Sequence, residues 1–155
     1  MLKINTLRDA MTDACPWCRA NPEKFTVYVN NGGIETTGES PSYLYRYTLG
    51  IFVMDFTQDL DELMVPLMRW LYRNQPDLLL NPEKNRDIKF SVAINDDDST
   101  DILLEIPVWE RVIIRRNDDG TVHAEHIGEP PVSRVLEAWR VTLEDVTWGQ
   151  NDGSG

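Results

Sequence analysis

The sequence predicts an α+β domain in which an antiparallel-rich mixed sheet packs against two main helices. Three observations predict it: two segments carry apolar residues at helical spacing, several others alternate bulky and polar residues, and clusters of Asn, Asp and Gly separate the alternating ones. A chain of 155 residues that is 41% hydrophobic, with five Trp, five Tyr and four Phe, has enough apolar mass to bury a core without disulfides or a metal. Neither a repeat nor a linker composition interrupts Met1 to Trp148. One domain over residues 1–148 and a flexible, polar, Gly-rich tail over 149–155 are therefore expected.

Ile4, Leu7, Met11, Ala14, Cys15 and Cys18 recur at helical spacing, and Thr6 with Asp9 resembles a capping box, so the first helix is expected over about residues 5–20. Asn21-Pro22 stops it, because Pro22 disfavours helical geometry in the residue before it. Phe25 to Val29 alternates as a strand and runs into Asn30-Asn31-Gly32-Gly33, which reads as a turn ahead of Ile34 to Thr37. After a polar loop at 38–42, Tyr43 to Phe56 forms a long strand whose buried face is Tyr43, Tyr45, Tyr47, Leu49, Ile51 and Val53. Its parity blurs at Ile51 to Met54, which predicts a central position with both faces covered there.

From Asp59 the period returns to 3.6, with Leu60, Leu63, Met64, Leu67, Met68 and Leu71 on one stripe, Asp59 and Glu62 suited to capping, and Asn74-Gln75-Pro76 as the stop. Pro66 inside this second helix removes a backbone donor, so a kink or fresh start near Val65 is expected. Ile88, Phe90, Val92 and Ile94 alternate, Asn95 to Thr100 turns the chain into a strand over Ile102 to Val108 that Trp109 to Arg116 continues or restarts, and Pro107 inside it implies a bulge or an edge position. Asn117 to Gly120 makes a hairpin turn into Val122 to His126, giving three antiparallel strands. Glu129-Pro130-Pro131 breaks the pattern, and residues 132–148 fit a helix and a strand equally well.

Fifteen Lys plus Arg against 26 Asp plus Glu give a formal charge of −11. Such a balance argues against sequence-independent binding to phosphates, which draws its affinity from basic residues. The N-terminus lacks the apolar run of a signal peptide, two cysteines make no disulfide framework, and no stretch approaches the ~20 apolar residues of a membrane span. Residence in a reducing cytoplasm and no membrane role are the resulting expectations.

Cys15-Pro16-Trp17-Cys18 has the spacing of a thiol-redox pair, but a helical pattern precedes it and places the thiols near a helix C-terminus, whose dipole raises a thiol pKa. His123 and His126 complete a Cys2His2 set with Cys15 and Cys18, yet an i, i+3 spacing on a strand sends the two imidazoles to opposite faces. The acidic run Asp96, Asp97, Asp98 lacks the Gly and terminal Glu of a calcium loop and reads as a solvated turn, as do Asp118 and Asp119. Asp59 with Asp61, or Glu110 beside Arg111, reads as caps or surface ion pairs. No nucleophile elbow, phosphate-binding loop or dinucleotide fingerprint occurs, so enzyme activity has no positive support.

An ordered set of short strings resembles the tail completion protein R family of temperate phages with contractile tails. They are Leu7-Arg8, Thr12-Asp13-Ala14, Asn21-Pro22, Asn31-Gly32, Arg46-Tyr47-Thr48-Leu49, Asp55-Phe56-Thr57 with Asp59, Val65-Pro66, Trp70-Leu71, Asn74-Gln75-Pro76-Asp77, Ile94-Asn95, Asp101-Ile102, Glu110-Arg111 and Glu129-Pro130-Pro131. Together they cover about residues 1–131. The family pattern includes the Pro inside the second helix and does not include the cysteines, and the sequence beyond Pro131 departs from it.

The resemblance implies a structural virion protein without a cofactor. It would cap the head-proximal end of the tail tube and sheath, stop their growth and present the surface joined to the head. Its implied partners are further copies in a hexameric ring, tail tube protein, tail sheath protein and neck connector proteins, with DNA passing through unbound and assembly in the host cytoplasm. Another neck or head-completion component is the nearest alternative; a Cys2His2 metal-binding domain or a Cys-x-x-Cys redox domain is the more distant one. Candidate ring contacts are helix 1, the Asn30 to Gly33 turn and the strand carrying Pro107, with Trp17, Trp109 and Trp148 as anchors and Trp70 and Trp139 left to the core. The acidic turns at Asp96 to Asp98 and Asp118-Asp119 would face the channel or solvent.

Overall fold

The computed structural model of the chain describes residues 2–128 and 142–144, so the tail at 149–155 and most of 132–148, with Trp139 and Trp148, lie outside the described residues. Helix α1 (Leu2–Ala14) is followed by the short α2 (Pro16–Ala20) and one 3-10 turn (Pro22–Lys24), then β1 (Phe25–Thr36) and β2 (Tyr43–Phe56). Helices α3 (Asp61–Asn74) and α4 (Pro76–Leu80) lead to β3 (Lys89–Ile94), β4 (Thr100–Arg116) and β5 (Val122–Ile127).

Pro16 divides the helix expected over 5–20. Its ring has no N–H to continue the ladder and pushes Cys15 out of helical geometry, to φ −111° and ψ 103°, so Cys15 becomes the N-cap of α2. Asn30 to Gly33 is likewise not a turn: β1 runs through it, with the register against β2 shifting between Asn30 and Gly33 and Asn31 at φ 52°. The one extra residue is absorbed as a bulge, which Asn and Gly tolerate. Helix α3 starts at Asp61 and runs unbroken through Pro66, which is buried in the second turn.

Every pairing in the sheet is antiparallel, in the order β1-β2-β4, with β3 and β5 both on the far flank of β4. Strand β3 pairs with β4 from Thr100 to Glu105 and β5 from Arg111 to Arg116. Between them, Ile106 to Glu110 has no described strand on that flank. Strand β2 is central, as its pattern predicts, and Tyr47, Leu49, Ile51 and Val53 are buried on the expected face; Met54 on the other face is exposed, so that face is open there.

Alternate residues Ile102, Leu104, Ile106 and Val108 of β4 join that face. Leu7 and Met11 of α1 and Leu63, Leu67, Trp70 and Leu71 of α3 cover it. Each such side chain contributes about 1.5–3 kcal/mol on leaving water. Trp70 adds a polar tie, its indole N–H donating to Thr6 Oγ1 at 3.0 Å. Beyond the helices the cover ends: all six residues of β3 are exposed, against the half-buried strand its alternation suggests.

Candidate functional site

Three polar side chains are buried where the helices meet the unflanked stretch of β4: Lys3 of α1, Gln75 between α3 and α4, and Glu110 of β4. The Lys3 ammonium donates to Gln75 Oε1 and to the Trp109 carbonyl, each at 2.6 Å, and the Trp109 N–H donates to Gln75 Oε1 at 3.3 Å. The two backbone groups of Trp109 that a neighbouring strand would normally satisfy are thus satisfied by side chains. Glu110 Oε1 accepts the Lys3 backbone N–H at 2.5 Å, so a carboxylate from β4 caps the N-terminus of α1 and lies at the positive end of its dipole.

The second Glu110 oxygen is 3.9 Å from His126 Nδ1, beyond hydrogen-bond reach. Burial and then the Glu110 charge hold the Tyr47 phenol well above its ordinary pKa. Enclosed on all sides, this cluster joins α1, α3 and β4; it is a fastening and offers no approach to a substrate.

Pro107 lies in the same unflanked stretch. It pairs with Thr48 in unbroken register, so it is at no bulge, and it occupies a local edge position of the 17-residue strand, which there has a described neighbour on the β2 side alone. By alternation its nitrogen faces the flank that Trp109 faces, where no ladder bond is required. Trp109 itself is half-buried on the uncovered face, between the Arg46 guanidinium at 5.9 Å and the Lys84 ammonium at 4.4 Å from its ring centre. With Arg46, Thr48, Lys84, Asp87 and Pro107 it lines a shallow cleft of about 400 Å³. Trp17 is half-buried and packs edge-on against Phe56, with ring centres 4.9 Å apart, so much of its surface is already spent within its own chain.

Both cysteines are free and buried in the core. Cys15 Sγ accepts the Cys18 N–H at 3.4 Å. The Cys18 thiol hydrogen bond, joined by the Cys18 and Trp17 N–H groups and opposed by burial, lowers the Cys15 pKa to about 7. The direction is opposite to that expected of a helix C-terminus, because Pro16 has placed Cys15 at a helix start. Donation to Cys15 and burial push the Cys18 thiol far up.

His123 and His126 do lie on opposite faces of β5: His123 Nδ1 is 2.8 Å from Asn117 Oδ1, while His126 stacks on Tyr45 on the helix side. Among the described residues no group of three or more His, Cys, Asp and Glu side chains is placed to hold a metal ion, and no helix is long and apolar enough to cross a membrane.

Asp96, Asp97 and Asp98 form the exposed β3–β4 turn, in which Asp97 accepts the Ser99 hydroxyl and N–H and is held below the usual carboxylate range. Asp118 and Asp119 repeat the arrangement before β5, with Asp119 accepting both donors of Thr121. Glu110, read from its neighbour Arg111 as a surface charge, is buried. One signal marks it: it is the single charged residue in the run Ile102, Leu104, Ile106, Val108, Glu110, Val112 and Ile114 along one face of β4. Lys3 and Gln75 carry no comparable mark, since their acceptors and donors come from distant elements.

The chain matches the family described as P2 phage tail completion protein R (GpR) over residues 1–130, the part that contains every strand and helix named above. It is 39% identical over 145 residues to "Tail completion protein R" of Escherichia phage P2, an alignment covering 90% of this chain and 93% of that protein. No solved structure matches it. By both matches, the chain belongs to the P2 phage tail completion protein R family.

Proposed function

We propose that the protein is a structural component of a contractile phage tail that caps the head-proximal end of the tube and sheath, ends their polymerisation and forms the surface joined to the head. Family membership over residues 1–130 carries this reading. It acts as a ring of copies, the hexamer being the form that the resemblance to tail terminators favours, in contact with tail tube, tail sheath and neck connector proteins and within the neck of the virion. It assembles in the host cytoplasm and performs no catalysis.

A charge of −11 per copy supports a lumen that repels DNA and lets it slide. The exposed turns Asp96 to Asp98 and Asp118-Asp119 are the candidates for that lining or for the solvent side, and Trp109 in its cleft is the best placed described tryptophan for a contact.

Deleting the gene tests the assignment. Tails of uncontrolled length, or finished tails unjoined to heads, are expected, with rescue by the gene supplied in trans. Normal tails beside leaking heads would instead assign the protein to head completion.

A further inference from the structure

We propose that the open edge of β3 pairs with the open edge of β1 on the next copy of this chain, continuing the sheet from subunit to subunit. The proposal rests on the ring reading above and names the surface through which the ring closes.

Strand β3 carries Phe90, Val92 and Ile94, with Phe90 61% and Ile94 81% exposed. Their partners in β4 are Leu104, Ile102 and Thr100, so they lie on the face that holds the core and extend it past the last helix. A six-residue strand with no partner on one side among the described residues, and with three apolar side chains in a row, is a template for another strand. The devices that protect such an edge are missing from it: it has no Pro and no bulge, and its one charge, Lys89, points to the other face. A surface of this kind on a folded monomer marks an interaction site.

The opposite edge of the same sheet offers the complement. Residues 30–36 of β1 are all exposed, and Ile34, 66% exposed, pairs with Tyr45 and so lies on the core face as well. Through three antiparallel steps, β1 to β2 to β4 to β3, the two edge strands run in opposite directions. A rotation that preserves strand direction therefore sets β1 of the next copy antiparallel to β3, and repeating it closes a ring.

The register that places Phe90 opposite the next copy's Ile34 places Lys89 opposite its Glu35. Both of these lie on the outer face, since Lys89 pairs with Glu105 and Glu35 with Leu44. Phe90 meets Ile34 on one face and the Lys89 cation meets the Glu35 carboxylate on the other, which offsets repulsion between copies of an acidic chain. A symmetric β3–β3 pairing centred on Val92 sets Lys89 against Asn95 and ends at two copies.

Cysteine cross-linking tests the interface, because directly opposed residues bring their Cβ atoms to about 4.5–5.5 Å. Ile34→Cys and Phe90→Cys are both exposed positions, the native Cys15 and Cys18 are buried, and circular dichroism verifies that each variant folds. The double variant, oxidised with copper phenanthroline, is expected to give a ladder of covalent multimers beyond the dimer, and neither single variant a ladder. In addition, Lys89→Glu is expected to raise the concentration needed for assembly by about tenfold, and adding Glu35→Lys to reverse that.

A covalent dimer from Val92→Cys alone, the residue that meets its own copy in a symmetric β3–β3 pairing and faces Gly32 in the proposed one, overturns the pairing in favour of a symmetric one. An oligomeric double variant with no ladder overturns this interface and leaves the ring reading standing. A wild-type chain that stays monomeric by native mass spectrometry, alone and with tail tube protein, overturns both.

Discussion

Replacing Gln75 by Leu keeps the side-chain volume close to unchanged and removes the one atom that accepts both the Lys3 ammonium and the Trp109 N–H. The ammonium keeps its bond to the Trp109 carbonyl at 2.6 Å but loses a charge-assisted bond worth about 1.5–3 kcal/mol. The Trp109 N–H faces the stretch of β4 that neither β3 nor β5 reaches and is left without an acceptor in a buried place, a further cost of about 1–3 kcal/mol. The two effects overlap, so about 4 kcal/mol is expected, equivalent to a fall in Tm of about 8–16 °C for a domain of this size.

Urea unfolding followed by circular dichroism measures it as a shift in midpoint with an unchanged slope. Asn74→Ala is the control, since the Asn74 amide makes only a local bond to the Trp70 carbonyl one turn back, and it should cost less than about 1 kcal/mol. A loss below about 1 kcal/mol for Gln75→Leu would show that the cluster does not fasten the sheet to the helices.

Three further outcomes are expected. A Cβ on Gly50 would sit 2.3 Å from Cζ of the Tyr28 ring that crosses it, so Gly50→Ala should cost about 1–3 kcal/mol in a thermal melt, and almost nothing when Tyr28→Ala has already removed the ring. Cys15, with its folded pKa lowered to about 7 from an ordinary 9.0, contributes stability that is complete above about pH 9 and lost as pH falls through 7. Wild-type protein should therefore gain stability between pH 7 and 9 and Cys15→Ser should not, an identical dependence in the two chains refuting the assignment. Purified protein is expected to hold no stoichiometric zinc by mass spectrometry of the metal content, because the two thiols lie in the core while the two imidazoles leave β5 on opposite faces; one zinc per chain, lost in Cys18→Ser, would reverse this.

Periodicity carried most of the fold. The stripe from Leu63 to Leu71 located α3, and the odd residues of β2 located the buried face, because in both the burial repeats with the period of the element. Where a local pattern had two physical solutions, the chain took the one that distant partners stabilise. Asn30 to Gly33 has the composition of a turn, yet the ladder from Gly33 to Thr36 against Arg46 to Tyr43 continues β1 through it.

The alternation of Phe90, Val92 and Ile94 announced a strand correctly and its burial wrongly, since alternation cannot tell how far the helices reach across the sheet. Of the fastening, only Glu110 was legible, as a charge in an apolar file. The Cys-x-x-Cys spacing was visible, but its electrostatics turned on Pro16 breaking the helix one residue after Cys15.

The carboxylate that caps α1 comes from a residue 107 positions further along the chain. During synthesis the first helix therefore leaves the ribosome long before its cap exists, and nearly the whole sheet must be made before Lys3 can settle. Closure of this contact is a late step in folding and requires a chain translated through Glu110. Fragments released earlier keep the N-terminal helix without its anchor, so only chains that carry β4 can present a finished subunit to an assembling tail.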